Sequence, residues 1–564
     1  MHNASKREDR VMQRRGWTTI VVIILLSAVL FVGIAIGRSG EQRRTETLLH
    51  RLTEEMMRSN NLGGLMMQDK MMQTVNAVRN YYVDPIDLDT IYEKAIPSLL
   101  SELDPHSEYI PARLFNQVNE SLEGEFDGIG IVFNAMTDTI TVLNVVPQGP
   151  SFKAGVRSGD RIVRIDDRDV AGQGIAQDSL VKLMRGKRGT KVKLAIERQT
   201  LDELVEVEVV RDAIELHSIE TAFMLDKGAG IGYVRLSQFA RTSYDELREA
   251  LTKLRSEGLQ KLIIDLRGNS GGFLDQAILI ANEFLPAEKL IVYTEDRNGN
   301  KQKEYSRGNG TSTDLGLAIL VDETSASSSE ILAGAIQDND RGIVLGRRTF
   351  GKGLVQTQIP FTDGSAVRLT VARYYTPTGR SIQKPYTAGD EMAYHMEIFD
   401  RYMHNEFFSA DSIHFDESLK FTTPGGRTVY GGGGIMPDIF IPMDTVGITR
   451  YYTKVWDSNT LYRYTIRYAD KHREALDKVS TLEELDSLLS ADDLLSDFVR
   501  YAEQQGIATN RHELNISRDI ILAQLRAYIG RNALGDDSGF YYNIYPVDKV
   551  MRRAVEELKR QNND

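Results

Sequence analysis

Hydrophobic and polar positions change rhythm several times along this chain. Trp17 to Gly37 carries no charge and runs through Ile20-Val21-Val22-Ile23-Ile24-Leu25-Leu26. At the helical rise such a stretch spans a bilayer core. It is too long for the apolar core of a cleavable signal, and no small-x-small cleavage site follows it. Lys6, Arg7, Arg10, Arg14 and Arg15 precede it against only Glu8 and Asp9. The positive-inside rule then keeps residues 1–16 cytoplasmic. The expectation is a signal anchor over 17–37 in a single-pass inner-membrane protein, with the bulk of the chain in the periplasm or another extracytoplasmic space.

Residues 45–106 follow a helical period, with Leu88, Ile91, Tyr92, Ala95, Ile96, Leu99, Leu100 and Leu103 on one stripe. Pro97 interrupts that stripe, and Leu103-Asp104-Pro105-His106-Ser107 ends it as a turn. The pairs Met66-Met67 and Met71-Met72 read as helix packing, not as a metal or haem site.

From 108 to 213 the period shortens to two. Ile140-Thr141-Val142-Leu143, Lys191 to Ile196 and Val205 to Val209 read as half-buried strands. Between them lie Gly124-Glu125-Phe126-Asp127-Gly128-Ile129-Gly130-Ile131, Pro150 to Val156 and Gly159 to Ile165. Residues 214–384 alternate strands and helices. Ile231 to Leu236 is a strand, and Thr242 or Ser243 caps a helix carrying Leu247, Ala250, Leu251 and Leu254. Leu262-Ile263-Ile264 is a buried strand entering Asp265-Leu266-Arg267-Gly268-Asn269-Ser270-Gly271-Gly272. Leu317 to Val321 is another, delivering the chain to Thr324-Ser325-Ala326-Ser327-Ser328-Ser329-Glu330. That alternation predicts an α/β domain with its loops gathered at strand ends. Residues 385–444 break the rhythm as an insertion and return, holding His395, His404, His414 and Gly431 to Asp438. Residues 445–564 are helical and charged, suited to packing on the α/β domain or to assembly.

Composition narrows the function. With 41% hydrophobic and 26% charged residues, the 564-residue chain is ordinary globular material of several domains. A net charge of −12 argues against nucleic acid as a partner. The absence of cysteine excludes disulfides, thiolate metal sites and a cysteine nucleophile.

The best chemical candidates are Ser327 and Lys352, the latter in Thr349-Phe350-Gly351-Lys352-Gly353. A serine hydroxyl is a poor nucleophile until a base takes its proton, and a lysine held neutral by burial can do so. Glycines on both sides let backbone crowd around the ammonium and strip its water. Gln356, four positions on, is expected to share a strand face with Lys352 and to orient it. Taken singly, a serine before a helix is usually an N-cap, and Gly-Lys-Gly is usually a solvated turn.

Two decoys compete. Gly346 to Lys352 fits the first seven positions of a P-loop, but the eighth is Gly353 and a strand, not a helix, follows. Gly268-Asn269-Ser270-Gly271-Gly272 fits a nucleophile elbow. It is also similar to the serine motif of trypsin-like quality-control proteases that carry PDZ domains. Those enzymes place His and Asp before the serine, and here the upstream His217 and His106 have no recognisable catalytic setting. No downstream histidine has a clear claim either.

The order of elements from 108 to 213 resembles a PDZ domain. In that family the loop matching Gly128, Ile129, Gly130 and Ile131 offers N–H groups to a peptide's terminal carboxylate, while the peptide adds a strand to the sheet edge. That segment, the Asp265-to-Gly272 turn, the Ser327 segment with Glu330-Ile331, Thr349 to Gly353 with Gln356, and Tyr374 to Ile382 occur in the order of one family. Together they resemble the carboxy-terminal processing, or tail-specific, proteases across roughly 75–384. The resemblance implies a crotonase-like ββα protease domain with a preceding or inserted PDZ domain of β-sandwich or barrel-like form, to which the patterning adds helical N- and C-terminal regions and one N-terminal transmembrane helix.

Carried over by motif, Ser327 is the nucleophile, Lys352 the general base and Gln356 its orienting partner. The oxyanion donors are the N–H of Ser328 and one from the Gly271-Gly272 turn. Family members often have Ala at the Ser328 position and Pro at the Ser270 position, where only backbone is needed. No metal or cofactor is implied. The implied partners are peptides with a free apolar C-terminus, the membrane through 17–37, and a homo-oligomer or an activating protein. The competing readings are an inactive PDZ scaffold and a Ser270-based protease.

Overall fold

The computed structural model describes residues 70–561, apart from 136–138, 147, 199–200, 202, 491–492 and 535. The anchor expected over 17–37 and the helix expected before 70 lie outside the described residues. Among the described residues no helix is long and apolar enough to cross a membrane. The chain divides into Met1–Tyr92 and Glu93–Asp564, and the second unit carries the sheets and the candidate site.

Helices α1 (Lys70–Tyr81) and α2 (Leu88–Ser101) form within the predicted stretch, with Pro97 inside the second. The stripe read from the sequence is largely uncovered. Leu100 is buried, but Ile91, Leu99 and Leu103 are exposed. Strand β1 (Glu108–Ile110) and helix α3 (Ala112–Glu123) then precede β2 (Glu125–Gly128).

The sheet of the segment expected to be PDZ-like begins at β3 (Ile131–Asn134) and continues through β4 (Ile140–Val145), β5 (Arg161–Ile165), β6 (Arg168–Asp169), β7 (Lys191–Glu197) and β8 (Val205–Val210). The order β3-β4-β5-β7-β8 leaves β3 at the edge. Strict alternation in β8, with Val207 and Val209 in and Glu206 and Glu208 out, is what one packed face requires. Helix α4 (Gln177–Met184) closes the packed face with Leu180 and Met184. Strand β9 (Asp212–Glu215) pairs with β2.

The boundary expected at 108 moves. Glu108, Tyr109 and Ile110 pair with Arg368, Val367 and Ala366 far downstream, so this segment belongs to the α/β domain.

That domain is built on β10 (Ile219–Asp226), β11 (Ile231–Leu236), helix α5 (Ser243–Ser256), β12 (Lys261–Asp265) and helix α6 (Leu274–Phe284). It continues through β13 (Leu290–Asp296), β14 (Lys301–Tyr305), β15 (Gly316–Val321), helix α7 (Ser328–Asp338) and β16 (Ile343–Gly346). Strands β17 (Leu354–Pro360) and β18 (Ala366–Tyr375), helix α8 (Glu391–Met403) and β19 (Ile439–Phe440) complete it. The central six-stranded sheet runs β10-β11-β12-β15-β16-β19, parallel from β11 onward. Every residue of β12 is buried, as a parallel strand covered on both faces demands. A second sheet orders β1-β18-β13-β14, with β17 also on β18. Strand β19 is where the 385–444 excursion returns to the domain.

The C-terminal helices include α9 (Thr460–Lys471), α10 (Arg511–Ala533) and α11 (Lys549–Arg560). Helix α11 is part of the core of the α/β domain. Its Val550, Met551, Ala554, Val555 and Leu558 form one stripe against Tyr233, Ile263, Ala318, Leu320 and Leu345 of the central sheet.

Candidate active site

Ser327 stands at the N-terminus of α7 with φ 54° and ψ −114°. A non-glycine residue in that region stores strain, which a rigid surrounding has to hold. The Asp265-to-Gly272 turn supplies it. Asn269 O accepts from Ala326 N–H at 3.0 Å and from Ser329 Oγ at 2.9 Å, and Ser328 Oγ donates to Gly272 O at 2.9 Å. A Cβ on Gly271 would lie 2.7 Å from Ser327 Cβ, and one on Gly272 would lie 2.2 Å from Phe239 O. Only glycines permit this approach.

Below the turn, Asp265 is wholly buried and bonds Arg235 Nη1 at 2.9 Å, Arg267 Nη2 at 2.6 Å and Tyr233 OH at 2.7 Å. Burial alone would raise its pKa, but the two guanidiniums hold it well below the usual carboxylate range. Arg267 also reaches Asp548, which caps α11.

Of the expected oxyanion donors, the Gly271 N–H is already given to Asn269 Oδ1 at 2.8 Å. That corrects its place in the donor set. The N–H groups of Ser328 and Gly272 have no acceptor among the described residues.

Lys352 occupies the loop before β17 and is half-buried. Burial lowers its pKa, and Arg368 lowers it further against the opposing Glu108, Glu330 and Asp104. The loop is fixed from two sides. Gly353 N–H donates to Gln383 Oε1 at 2.7 Å, and Arg401 of α8 donates to Thr349 O and Arg348 O.

Gln356 lies within β17 opposite Thr370, after a register shift at Val355. Lys352 precedes the strand, so strand alternation does not by itself put the two on one face. The Gln356 Nε2 is buried with no hydrogen-bond partner among the described residues. Among the described residues no hydrogen bond joins the Ser327 hydroxyl to the Lys352 ammonium.

Three groups escaped the sequence reading. Glu330, fully buried, accepts from Ser327 N–H and Lys352 N–H through Oε2, both at 2.8 Å. Its Oε1 accepts from Gly351 N–H at 2.8 Å and Thr349 Oγ1 at 2.5 Å. Burial pushes its pKa up to about 7 despite these donors. The spacing Ser-x-x-Glu at a helix start was the available signal. The Tyr374 hydroxyl touches the carbonyls of both Ser327 and Lys352.

The third is the Asp104-to-Ser107 turn. Asp104 accepts from His106 N–H, Ser107 N–H and Thr370 Oγ1, which docks the turn on β18 opposite Gln356. His106 bonds Tyr394 OH at 2.9 Å, and burial followed by the charge of Lys352 holds its pKa down to about 3. It stays neutral at physiological pH.

Ser270 is exposed and, among the described residues, no acid or base hydrogen-bonds its side chain, while His217 lies in solvent beside Glu246 at 4.0 Å. In the PDZ-like segment, Ile129 is buried and Gly130 has φ 72°, with a Cβ there falling 2.9 Å from Ile214 Cδ1. The N–H groups of Ile129 and Gly130, between Gly128 and Ile131, have no backbone acceptor among the described residues.

The sequence profile of peptidase family S41 matches residues 230–392, and that of a PDZ domain matches 128–209. A carboxy-terminal-processing protease of Bartonella bacilliformis is 39% identical over 311 residues, covering 54% of this chain and 70% of that protein. The chain belongs to peptidase family S41. It is a serine-type peptidase carrying a PDZ domain. A carboxyl-terminal-processing protease of Picosynechococcus sp. is 36% identical over 307 residues, covering 54% of this S41 chain and 73% of its relative. A solved structure described as photosystem II D1 C-terminal processing protease is 29% identical, covering 56% of this chain and 83% of that one at a TM-score of 0.34. Residues 451–535 of the S41 chain match a family of unknown function.

Proposed function

We propose that this S41 peptidase is a membrane-anchored endopeptidase that cleaves exported proteins near their C-termini with a Ser327–Lys352 dyad. The observation that carries the reading is Ser327 itself. It is a strained residue at a helix N-terminus, beside the free N–H groups of Ser328 and Gly272, sharing one buried carboxylate with the backbone of a half-buried lysine. Neutral Lys352 takes the Ser327 proton as Oγ attacks the scissile carbonyl. The two N–H groups receive the oxyanion, and the lysine returns the proton to the leaving amine. Water then resolves the acyl-enzyme.

The unpartnered Gln356 amide and the unjoined Ser327 and Lys352 side chains favour a resting conformation, assembled when a tail docks. Under this reading a C-terminal carboxylate lies on the N–H groups of Gly128 to Ile131 while the peptide adds to β3. Residues 17–37 anchor the chain, with the N-terminus cytoplasmic and an activating partner or second copy outside. The deciding experiment is labelling with a serine-reactive phosphonate followed by mapping of the modified peptide. An adduct on Ser327 that is lost in Lys352→Arg supports the dyad, and an adduct on Ser270 overturns it.

A further inference from the structure

Residues 451–535 have no role in the chemistry above, yet one face of α9 lies on the PDZ domain. Tyr462, Ile466 and Asp470 recur every four positions and so share one face of the helix. Asp470 Oδ2 accepts from Arg161 Nη2 at 2.9 Å, and the Tyr462 hydroxyl hydrogen-bonds Asn134. Asn134, Thr141 and Arg161 form one row across β3, β4 and β5. Ile131 and Phe133 of β3 pack inward, so Val132 and Asn134 point to the outer face. On that face Thr141, between Asn134 and Arg161, is buried, whereas Val132 is 53% exposed.

This row stands at the end of β3 remote from the Gly128-to-Ile131 loop. A peptide held at that loop and added antiparallel to β3 passes Asn134 about three residues from its terminus, at roughly 3.3 Å per residue. Side chains alternate along the added strand. The terminal residue and the one at −2 face α4, while those at −1 and −3 face outward. The −3 side chain therefore meets Tyr462, with Val132 as its diagonal neighbour on the same face.

We propose that helix α9 extends the PDZ groove, and that Tyr462 selects an apolar residue at position −3 of the substrate tail. The assignment rests on the tail-receptor reading of the Gly128-to-Ile131 loop. It gives the helical region a part in specificity, made from the surface that joins it to the PDZ domain.

The test uses the full chain carrying Ser327→Ala, so that nothing is cleaved, and fluorescent hexapeptides read by anisotropy. Leu at −3 should bind about tenfold tighter than Gly, the size of a partly buried apolar contact. Tyr462→Ala should shrink that ratio to about twofold. Tyr462→Lys should reverse the order of Leu and Glu at −3, a gain that damage to folding cannot produce. Binding that is lost on C-terminal amidation but indifferent to −3 in the unsubstituted chain overturns the α9 assignment alone. So does a preference that survives Tyr462→Ala. Equal binding of amidated and free-acid peptides removes the tail receptor, and this assignment with it.

Discussion

Glu330→Gln should separate stability from activity in a way that depends on pH. The carboxylate serves four donors, two on each oxygen: Ser327 N–H, Lys352 N–H, Gly351 N–H and Thr349 Oγ1. Glutamine keeps one acceptor oxygen and turns an NH₂ toward the other pair. Facing donors with a donor in a dry site costs about 1–3 kcal/mol. Against this stands the cost of ionising the native side chain, since a rise from 4.5 to about 7 converts to about 3 kcal/mol.

The sign follows from the direction of the shift. A folded pKa above the unfolded one means the proton-linked stability is fully present below about pH 4.5 and lost as the pH passes about 7. Glutamine never ionises and loses nothing over that interval. The variant should be less stable than the native chain by about 1–3 kcal/mol at pH 5, and the gap should move in its favour by about 2–3 kcal/mol by pH 8, so that the two become comparable or the variant the more stable. Turnover per titrated site should fall about 10- to 100-fold at pH 8, because Ser327 and Lys352 lose their common anchor. Urea unfolding followed by circular dichroism at both pH values, beside active-site titration, measures both quantities. Parallel pH dependence of stability in the two proteins would refute the reasoning, as would a fully active variant.

Ser327→Ala should abolish proteolysis while Ser270→Ala leaves most of it, measured as peptide cleavage. Because Lys352 must be neutral to act, kcat should rise with pH through a value below that of an ordinary lysine, and Lys352→Arg should be inactive across the profile. Gly271→Ala combines φ +107° with a Cβ 2.7 Å from that of Ser327, and should cost about 2–4 kcal/mol of stability and most of the activity. Truncation before Lys549 strips α11 from the central sheet and should yield an insoluble or unfolded protease domain rather than a slower one. A soluble, active truncation would contradict the packing described.

Much of the domain order was legible because it is written locally. The change from period two to alternating strand and helix separates the PDZ segment from the protease domain. Each buried parallel strand is a short apolar run, so β11, β12 and β15 fall where the sequence places them. The pair Ser327 and Lys352 was legible for another reason: each sits in a run of small residues that only a tight turn or a close approach explains.

The edges were not legible in this way. Glu108 to Ile110 looks like any short strand, and nothing in three residues says that its partner is Ala366 to Arg368. The stripe in α2 predicts burial, yet Ile91, Leu99 and Leu103 are exposed, since periodicity shows that a face is apolar and not what covers it. His106 has no catalytic spacing to any residue, and it nears Lys352 only because Asp104 docks its turn on β18.

By itself, then, the sequence determined which segments are strands, helices and tight turns, and which side chains are chemically able to act. Those properties depend on a residue and its near neighbours. The tertiary structure decided which N–H groups remain free for an oxyanion, because the Asn269 side chain claims the one on Gly271. It decided that one carboxylate and one phenol hold the backbone of both Ser327 and Lys352, and that the last helix belongs to the protease core. These are contacts between segments tens to hundreds of residues apart, and no local pattern encodes them. They exist only once the chain has closed on itself.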